Sequence, residues 1–351
     1  MIVDLDEYES LITHIRPWSG TAPAGYIPNH FGTMASILFH AHWAPHEMIA
    51  EVIRGPRHVT TKRPVFSDGE SYFEQCNIVR SVLRARGRFV MVELGGGIGA
   101  RAVDCAQALR QLNPVEPFLV VVEALPTYYA WCHHHFRVND LDPQRHWILN
   151  GIISDRPIPE IMNLRPWGFG NQLADAAVTE LVEQAVREPA TAALFGRYLT
   201  EAGSVLVQDG AVHADTTRRQ VAPPPDLQGL AVEEVLATAV PRHAASQLGF
   251  VSALTLENVL APLERVDFMD VDIQFAEIRV LPPSRELLRR KVKLLSVGTH
   301  DANIHETLRQ QFEADGWRIL AELAPWTEHE SRLGKFTTAD GILTLENPSL
   351  R

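Results

Sequence analysis

Residues 89–99 read Phe-Val-Met-Val-Glu-Leu-Gly-Gly-Gly-Ile-Gly and decide the fold of this chain. An apolar run ends in an acid, Glu93, and a helical stretch follows over 100–112. Four glycines lie between them, at Gly95, Gly96, Gly97 and Gly99. Glycines let the backbone approach a ligand closely, and the free N–H groups of a helix N-terminus face such a turn. The stretch therefore predicts a strand, a turn and a helix that together bind a nucleotide-like ligand.

The acid ahead of the glycines bears on which ligand this turn binds. A dinucleotide places its anionic pyrophosphate against the turn, where the carboxylate of Glu93 would repel it. S-adenosylmethionine carries a sulfonium and an ammonium group but no phosphate, so the same carboxylate attracts it. We therefore expect Glu93, Gly95, Gly97 and Gly99 to contact S-adenosylmethionine in a methyltransferase.

A second apolar run, 118–123, also ends in an acid, Glu123, which lies 24 residues after Gly99. An acid at this place suits the two hydroxyl groups of a ribose, and we expect Glu123 to contact the cofactor. The spacing Gly95-x-Gly97-x-x-Ala100 also fits a looser nicotinamide fingerprint. A nicotinamide-dependent oxidoreductase therefore stays an alternative, as does a glycine turn that only connects a strand to a helix.

Composition places the chain among globular proteins. Its 351 residues exceed the usual single domain, and 46% hydrophobic with 21% charged residues suffice for a full core. A net charge of −11 disfavours nucleic acid and anionic membranes as partners. No run is long enough to span a bilayer, no signal-peptide pattern is seen, and the three cysteines form no CxxC pair. We expect a cytoplasmic protein with a small-molecule or glycan acceptor; the sequence leaves a homo-oligomer open.

Strands and helices alternate from residue 88 onward. The predicted helices are 99–112, 126–138, 255–263 and 302–315. The predicted strands are 88–94, 118–124, 146–154, 266–272 and 293–298, followed by an antiparallel pair at 317–321 and 341–345. This alternation predicts an α/β fold with the Rossmann-like, seven-stranded sheet of class I methyltransferases.

The regions outside this alternation are predicted to modify the site. Residues 1–87 form an N-terminal cap with a helix at 71–86, and 88–351 form the methyltransferase domain. Residues 155–250 are an insertion between strands 3 and 4, with a helix at 175–187 and a strand at 204–208. Loops on that side of a doubly wound sheet carry specificity, so the insertion is expected to shape the acceptor site.

Several segments together resemble a known family. The segments are Val92-Glu-Leu-Gly-Gly-Gly-Ile-Gly99, Asp267-Phe-Met-Asp-Val-Asp-Ile-Gln-Phe-Ala-Glu277, the strand ending in His300, and Asp68-Gly-Glu-Ser-Tyr-Phe-Glu74. Over roughly 68–345 they resemble the FkbM family of S-adenosylmethionine-dependent methyltransferases. The resemblance implies O-methylation of a hydroxyl, often on a sugar, glycan or glycosylated natural product.

The chain also departs from the pattern of that family. The family usually carries a lysine where this chain has Asp270, and a Glu-Gly pair where it has Gln274-Phe275. These departures leave open a catalytically silent scaffold that only binds the cofactor.

Polar residues after the fourth and fifth strands are the candidate catalytic group. Asp270 and Asp272 lie two apart on a strand and so point to one face, and His300-Asp301 ends the neighbouring strand. A hydroxyl has a pKa far above 7, so its methylation needs a base or a Lewis acid. Either His300 takes the proton, oriented by Asp301 or Asp272, or Asp270, Asp272 and His300 hold Mg²⁺ or Mn²⁺. Structural roles, such as a helix cap for Asp270 or a core position for His300, stay open.

Apolar and aromatic residues complete the predicted site. We expect Ala124 or Ile153 to line the adenine and Tyr72 to close over the methionine end of the cofactor. Trp167 and Phe169, in the insertion, are expected to stack against a sugar ring.

Overall fold

The structure is a computed structural model that describes residues 2–41, 43–157, 160–164, 172–173, 206–208, 211–213, 226–238 and 247–350. Short elements make up the N-terminal part: β1 (Ile2–Val3), α1 (Leu5–Thr13), β2 (Ser19–Ala22), β3 (Tyr26–Pro28), β4 (Met34–Ser36), α2 (Ile37–His40), α3 (His46–Ile53), β5 (Arg57–Thr60) and α4 (Glu70–Arg84). Strand β2 pairs with β5 and β3 with β4, both antiparallel. The predicted cap thus contains more regular structure than the one helix expected there.

The elements of the main sheet begin with β6. The first half comprises β6 (Arg88–Leu94), α5 (Ala100–Leu112), β7 (Glu116–Glu123), α6 (Pro126–Val138), β8 (Trp147–Asn150) and β9 (Ile152–Ile153). Next come β10 (Glu160–Leu164), β11 (Gln172–Leu173), β12 (Leu206–Gln208), β13 (Ala211–His213), α7 (Val232–Thr238), β14 (Gln247–Val251) and β15 (Ala253–Leu254). The second half comprises α8 (Leu256–Leu260), β16 (Val266–Val271), α9 (Glu277–Val280), α10 (Arg285–Lys291), β17 (Val292–Thr299), α11 (Ala302–Ala314), β18 (Arg318–Leu323), β19 (Glu328–Ser331), β20 (Gly334–Thr337) and β21 (Gly341–Glu346).

The strand order of the main sheet is β1-β18-β21-β17-β16-β6-β7-β8. Strands β8, β7, β6, β16 and β17 pair in parallel, whereas β21 lies antiparallel between β17 and β18. Seven strands in this order, with the last strand reversed, are the arrangement of class I methyltransferases. The predicted fold class is therefore confirmed, and the two-residue β1 adds an eighth strand at the edge.

Alternate residues of β6 enter two cores on opposite faces of the sheet. Phe89 and Met91 belong to the core shared with α4 and α5, and Val92 and Leu94 to the core on the other face. A parallel strand covered on both faces needs such a nearly continuous apolar run. Glu93 therefore projects from the same face as Met91, toward α5, at the carboxyl end of the strand.

The insertion is described only in part. Strand β10 pairs with β11 and β14, and β15 adds in parallel to β9 next to the main sheet. The predicted strand at 204–208 corresponds to β12. The predicted helix at 175–187 and the residues Trp167 and Phe169 lie outside the described residues.

The state of the cysteines and the character of the helices complete the description of the fold. All three cysteines are free thiols buried in the interior. Within the described ranges, no helix combines the length and apolar character needed to cross a membrane.

Candidate active site

A cleft of about 270 Å³ lies at the carboxyl ends of β6, β7 and β16. This edge of a doubly wound sheet is where such folds bind ligands. Most of the predicted site residues line it: Glu93, Gly95, Gly97, Glu123, Ala124, Ile153, Asp270 and Asp272. The cleft therefore brings together residues that lie almost 180 positions apart in the sequence.

The glycine turn lies directly against the end of β16. Gly95 has φ +76°, and a Cβ atom on it would lie 1.7 Å from the carbonyl oxygen of Asp272. No side chain fits at that separation, so glycine is required for the two chain segments to meet. Gly99, with φ +74°, ends the turn ahead of α5 and is not part of the cleft lining, so its predicted contact with the cofactor stays a prediction.

Glu93 uses its carboxylate to cap α5. It is 4% exposed and accepts hydrogen bonds from the backbone N–H groups of Arg101 at 3.2 Å and Ala102 at 2.9 Å. Burial and the nearby carboxylate of Asp270 raise the pKa of Glu93 to about 8, although these hydrogen bonds lower it. The helix N–H groups that would otherwise bind a phosphate are thus bonded to an acidic side chain.

Glu123 closes the other side of the same turn. Its carboxylate accepts hydrogen bonds from the N–H groups of Gly97 and Leu125, both at 2.7 Å. Burial raises the pKa of Glu123 to about 7, against the lowering effect of these hydrogen bonds. Two buried carboxylates therefore hold backbone donors around the first turn, and an incoming pyrophosphate would face both of them.

Asp270 lies beside Glu93 on the adjacent strand, as the register of β16 with β6 shows. Burial raises the pKa of Asp270 to about 7, while the guanidinium of Arg101 lowers it. Arg101, on α5, also forms an ion pair with Glu74 of α4. Glu74 and Arg101 both line the cleft, and the sequence did not predict either of them as a site residue. The position of Arg101 in the first turn of the helix after the glycines is the sequence feature that could have identified it.

His300 is held by carboxylates on several sides. Its Nδ1 lies 3.1 Å from Glu277 Oε1, and its Nε2 lies 3.2 Å from Asp272 Oδ1 and 3.8 Å from Asp340 Oδ1. Burial lowers the pKa of His300, but the hydrogen bonds to Asp272 and Glu277 outweigh it and raise the pKa to about 10. The imidazole is therefore a cation at neutral pH, and it would have to lose this proton before acting as the predicted base.

Asp272 differs from the other acids because its side chain is 51% exposed. Desolvation raises the pKa of Asp272, but the hydrogen bond and charge of His300 and the hydrogen bond from Gln274 together outweigh desolvation and lower the pKa. Asp272 is thus an ionised carboxylate at the mouth of the cleft. Asp301, the other predicted partner of His300, instead caps α11 by accepting from the N–H groups of Asn303 and Ile304.

The predicted divalent-cation site is not supported. Across the part of the chain that the structure describes, no group of three or more His, Cys, Asp or Glu side chains is arranged to hold a metal ion. In the set Asp270, Asp272 and His300, the Nδ1 atom of His300 is already paired with Glu277 and its Nε2 atom with Asp272.

Tyr72 does not contact the cleft, contrary to its prediction. It is 2% exposed and packs at 6.0 Å from the ring of Phe66 and 5.4 Å from that of Phe73, within the core. Glu74 reaches the cleft from the same helix because two residues along an α-helix turn the side chain by about 200°. The face of α4 that carries Tyr72 therefore points away from the ligand.

The apolar end of the cleft contains residues that the sequence did not reveal. Phe39 of α2 and Tyr128 of α6 meet edge to face at 5.7 Å between ring centroids, and both line the cleft. Ile152 and Met162 also line the cleft, as does the predicted Ile153. Phe39 belongs to the N-terminal cap, and no local motif marks it because only folding brings the cap to this edge of the sheet.

Comparisons with known proteins name no family for this chain. No family model matches the chain, so the resemblance to the FkbM family is not confirmed, and no characterised relative matches its sequence. The precorrin-6y C5,15-methyltransferase of Geobacter metallireducens is similar in structure, with 9% identity over 78% of this chain and 86% of that chain and a TM-score of 0.33. The C-terminal domain of precorrin-6Y C5,15-methyltransferase from Rhodobacter capsulatus is similar as well, with 10% identity over 81% of this chain and 93% of that chain and a TM-score of 0.35. The hMettl16 catalytic domain is also similar in structure, with 10% identity over 79% of this chain and 69% of that chain and a TM-score of 0.30.

Proposed function

We propose that this protein is an S-adenosylmethionine-dependent methyltransferase. The observation that carries the proposal is the pair of buried carboxylates, Glu93 and Glu123, bonded to the N–H groups of the first turn. A nicotinamide dinucleotide needs those donors for its pyrophosphate, whereas a sulfonium compound needs negative charge there. The acidic cleft therefore favours the cationic cofactor over the nicotinamide-dependent oxidoreductase.

The residues of the cleft fit the parts of this cofactor in order. Glu123 suits the ribose hydroxyls, and the apolar wall formed by Phe39, Tyr128, Ala124 and Ile153 suits the adenine ring. The acidic end with Glu93 suits the ammonium and sulfonium groups. The cofactor supplies an electrophilic methyl group on its sulfonium.

The acceptor oxygen is proposed to lie next to Asp272. As a bond forms between this oxygen and the methyl carbon, the hydroxyl becomes strongly acidic, so a weak base within hydrogen-bond reach suffices to take its proton. Asp272 is ionised and exposed at the mouth of the cleft, and the charged His300 fixes its orientation at 3.2 Å. Positioning of the acceptor supplies most of the remaining rate enhancement.

The acceptor proposed is a hydroxyl of a sugar, a glycan or a glycosylated natural product. Support comes from the sequence resemblance and from a carboxylate placed as a base rather than a metal site. The insertion at 155–250 is proposed to shape the acceptor site, and the protein is proposed to act in the cytoplasm without a nucleic-acid partner.

Two measurements test this function. Isothermal calorimetry with S-adenosylmethionine and with NAD⁺ decides the cofactor, and binding of NAD⁺ alone would overturn the proposal. Transfer of a labelled methyl group to a panel of methyl glycosides then tests the chemistry. Asp272→Asn should lower kcat by about a hundredfold or more and leave cofactor affinity intact.

The matched control for that variant is Asp301→Asn. Asparagine caps a helix as well as aspartate does, so this change should leave both stability and turnover unaltered. Full activity of Asp272→Asn would remove Asp272 as the base. Cofactor binding without transfer to any glycoside by the unmodified protein would instead favour a silent scaffold.

A further inference from the structure

The turn that connects β16 to α9 holds two consecutive residues in a conformation that side chains disfavour. Gln274 has φ +50° and Phe275 has φ +71°. In this left-handed region Cβ crowds the following carbonyl oxygen, so glycine adopts it without cost and phenylalanine does not. Such strain costs free energy, and residues that retain it are concentrated at functional sites.

The ring of Phe275 contributes little to the hydrophobic core. The residue is 44% exposed, and its ring packs on that of His300 with centroids 5.4 Å apart and planes tilted by 41°. The imidazole packs against one side of the Phe275 ring and leaves the remaining ring surface open to solvent. An aromatic face supported in this way is available to a ligand.

Phe275 follows directly after residues that line the cleft. The neighbouring Gln274 lines the cleft, and its side-chain amide nitrogen lies 3.0 Å from Asp272 Oδ1 and 2.8 Å from His300 Nε2. Asp272 lines the cleft as well. A molecule resting on Phe275 would therefore present one edge to Asp272, the proposed base.

Charge near the ring restricts what can rest on it. The carboxylates of Asp272 and Asp340 are 51% and 45% exposed and approach His300 from the same side, at 3.2 and 3.8 Å from Nε2. Carboxylates accept hydrogen bonds from hydroxyl groups and repel phosphates and acids. The C–H face of a saturated ring, in turn, packs well on an aromatic side chain.

We infer that Phe275, flanked by Asp272 and Asp340, is the acceptor subsite and binds an uncharged, polyhydroxylated saturated ring such as a pyranose. The inference rests on the proposed function and adds the position and charge of its acceptor. Phe275 acts as a specificity-determining residue, and the strained turn holds its ring over His300.

Saturation-transfer NMR tests this subsite without requiring turnover. The protein is loaded with S-adenosylhomocysteine and mixed with methyl glucoside, galactoside, mannoside or rhamnoside, or with glucose 6-phosphate or catechol as contrasting probes. At least one methyl glycoside should show saturation of its ring C–H protons, while glucose 6-phosphate shows none. Stronger saturation of catechol than of every glycoside would assign the subsite to a planar aromatic acceptor and overturn the inference.

Variants of Phe275 separate ligand binding from folding. Phe275→Gly removes the ring and also relieves the left-handed strain, so the protein should remain folded, while the glycoside signal should fall by about fivefold or more. Phe275→Trp retains an aromatic face and should retain the signal. Val65→Ala, which trims an exposed apolar side chain outside the cleft lining, is the control and should change nothing.

The outcomes distinguish the inference from the function on which it rests. An unchanged glycoside signal in Phe275→Gly, or no glycoside signal from loaded wild-type protein, would overturn the subsite alone. Failure of wild-type protein to bind S-adenosylhomocysteine or S-adenosylmethionine would instead overturn the proposed function.

Discussion

The affinity of the protein for S-adenosylmethionine should rise steeply with pH. Glu93 has its pKa raised to about 8 by burial and by the carboxylate of Asp270, so it is mostly protonated in the free protein at neutral pH. The cationic cofactor favours the ionised form, and binding must therefore release this proton. If only the ionised form binds, affinity should increase about twentyfold between pH 6 and pH 7.5.

This range ends at pH 7.5 so that the α-amino group of the cofactor stays mostly protonated. The sulfonium does not titrate, and an α-amino group ordinarily has a pKa of about 7.7–8.0. Calorimetry at pH 7 in buffers of different ionisation enthalpy should detect release of about 0.9 proton per ligand. S-adenosylhomocysteine, which lacks the sulfonium charge, is the matched ligand and should show a shallower dependence.

The variant Glu93→Gln removes the titrating group while keeping one oxygen that can accept from the N–H groups of α5. Its affinity for S-adenosylmethionine should be weaker at pH 7.5 and should depend less steeply on pH, with the remaining dependence due to Glu123 and Asp270, whose pKa values are raised to about 7. A dinucleotide would behave in the opposite way, binding more tightly as the pH falls. Flat affinity in the wild-type protein, or an affinity that decreases with pH, would refute the electrostatic reasoning.

Four other changes have definite expected outcomes. The folded protein keeps the Glu93 proton to about pH 8, whereas an unfolded chain loses it near its ordinary pKa, so the stability that Glu93→Gln gains relative to wild type, measured by thermal unfolding without ligand, should increase from pH 5 to pH 8. Glu123→Ala should weaken binding of S-adenosylmethionine by about 2–3 kcal/mol in calorimetry, because hydrogen bonds to a charged group are lost. Gly95→Ala should abolish cofactor binding and lower the melting temperature, since its Cβ would lie 1.7 Å from the Asp272 carbonyl oxygen; wild-type behaviour would contradict the geometry of the turn. Tyr72→Ala should cost about 3–5 kcal/mol of stability, measured by urea unfolding, with cofactor affinity of the folded protein unchanged.

The order of elements in the main sheet could be predicted from the sequence because its signals are local. The apolar run of β6 ending in Glu93, and the similar run ending in Glu123, mark buried parallel strands whose ends face one cleft. Glycine at 95 and 97 marks the turn between strand and helix. These patterns depend on neighbouring residues only, so the chain itself displays them.

The partners of each polar group could not be predicted in the same way. The helix-capping role of Glu93 and the ion pair of Arg101 with Glu74 depend on how α4 and α5 pack against the sheet. Likewise, the predicted metal ligation by His300 is not supported by the structure, in which Glu277 and Asp272 converge on the two ring nitrogens.

The sequence by itself determined the sheet, the first turn and the acids that surround the cofactor cleft, because strand periodicity and glycine spacing are properties of contiguous residues. Only the tertiary structure decided that Phe39 of the cap joins the cleft, that Tyr72 turns away from it, and that Phe275 stands over a charged His300. The physical reason is that burial and charge pairing are set by residues far apart in the chain. Their distances exist only once the helices have packed on the sheet.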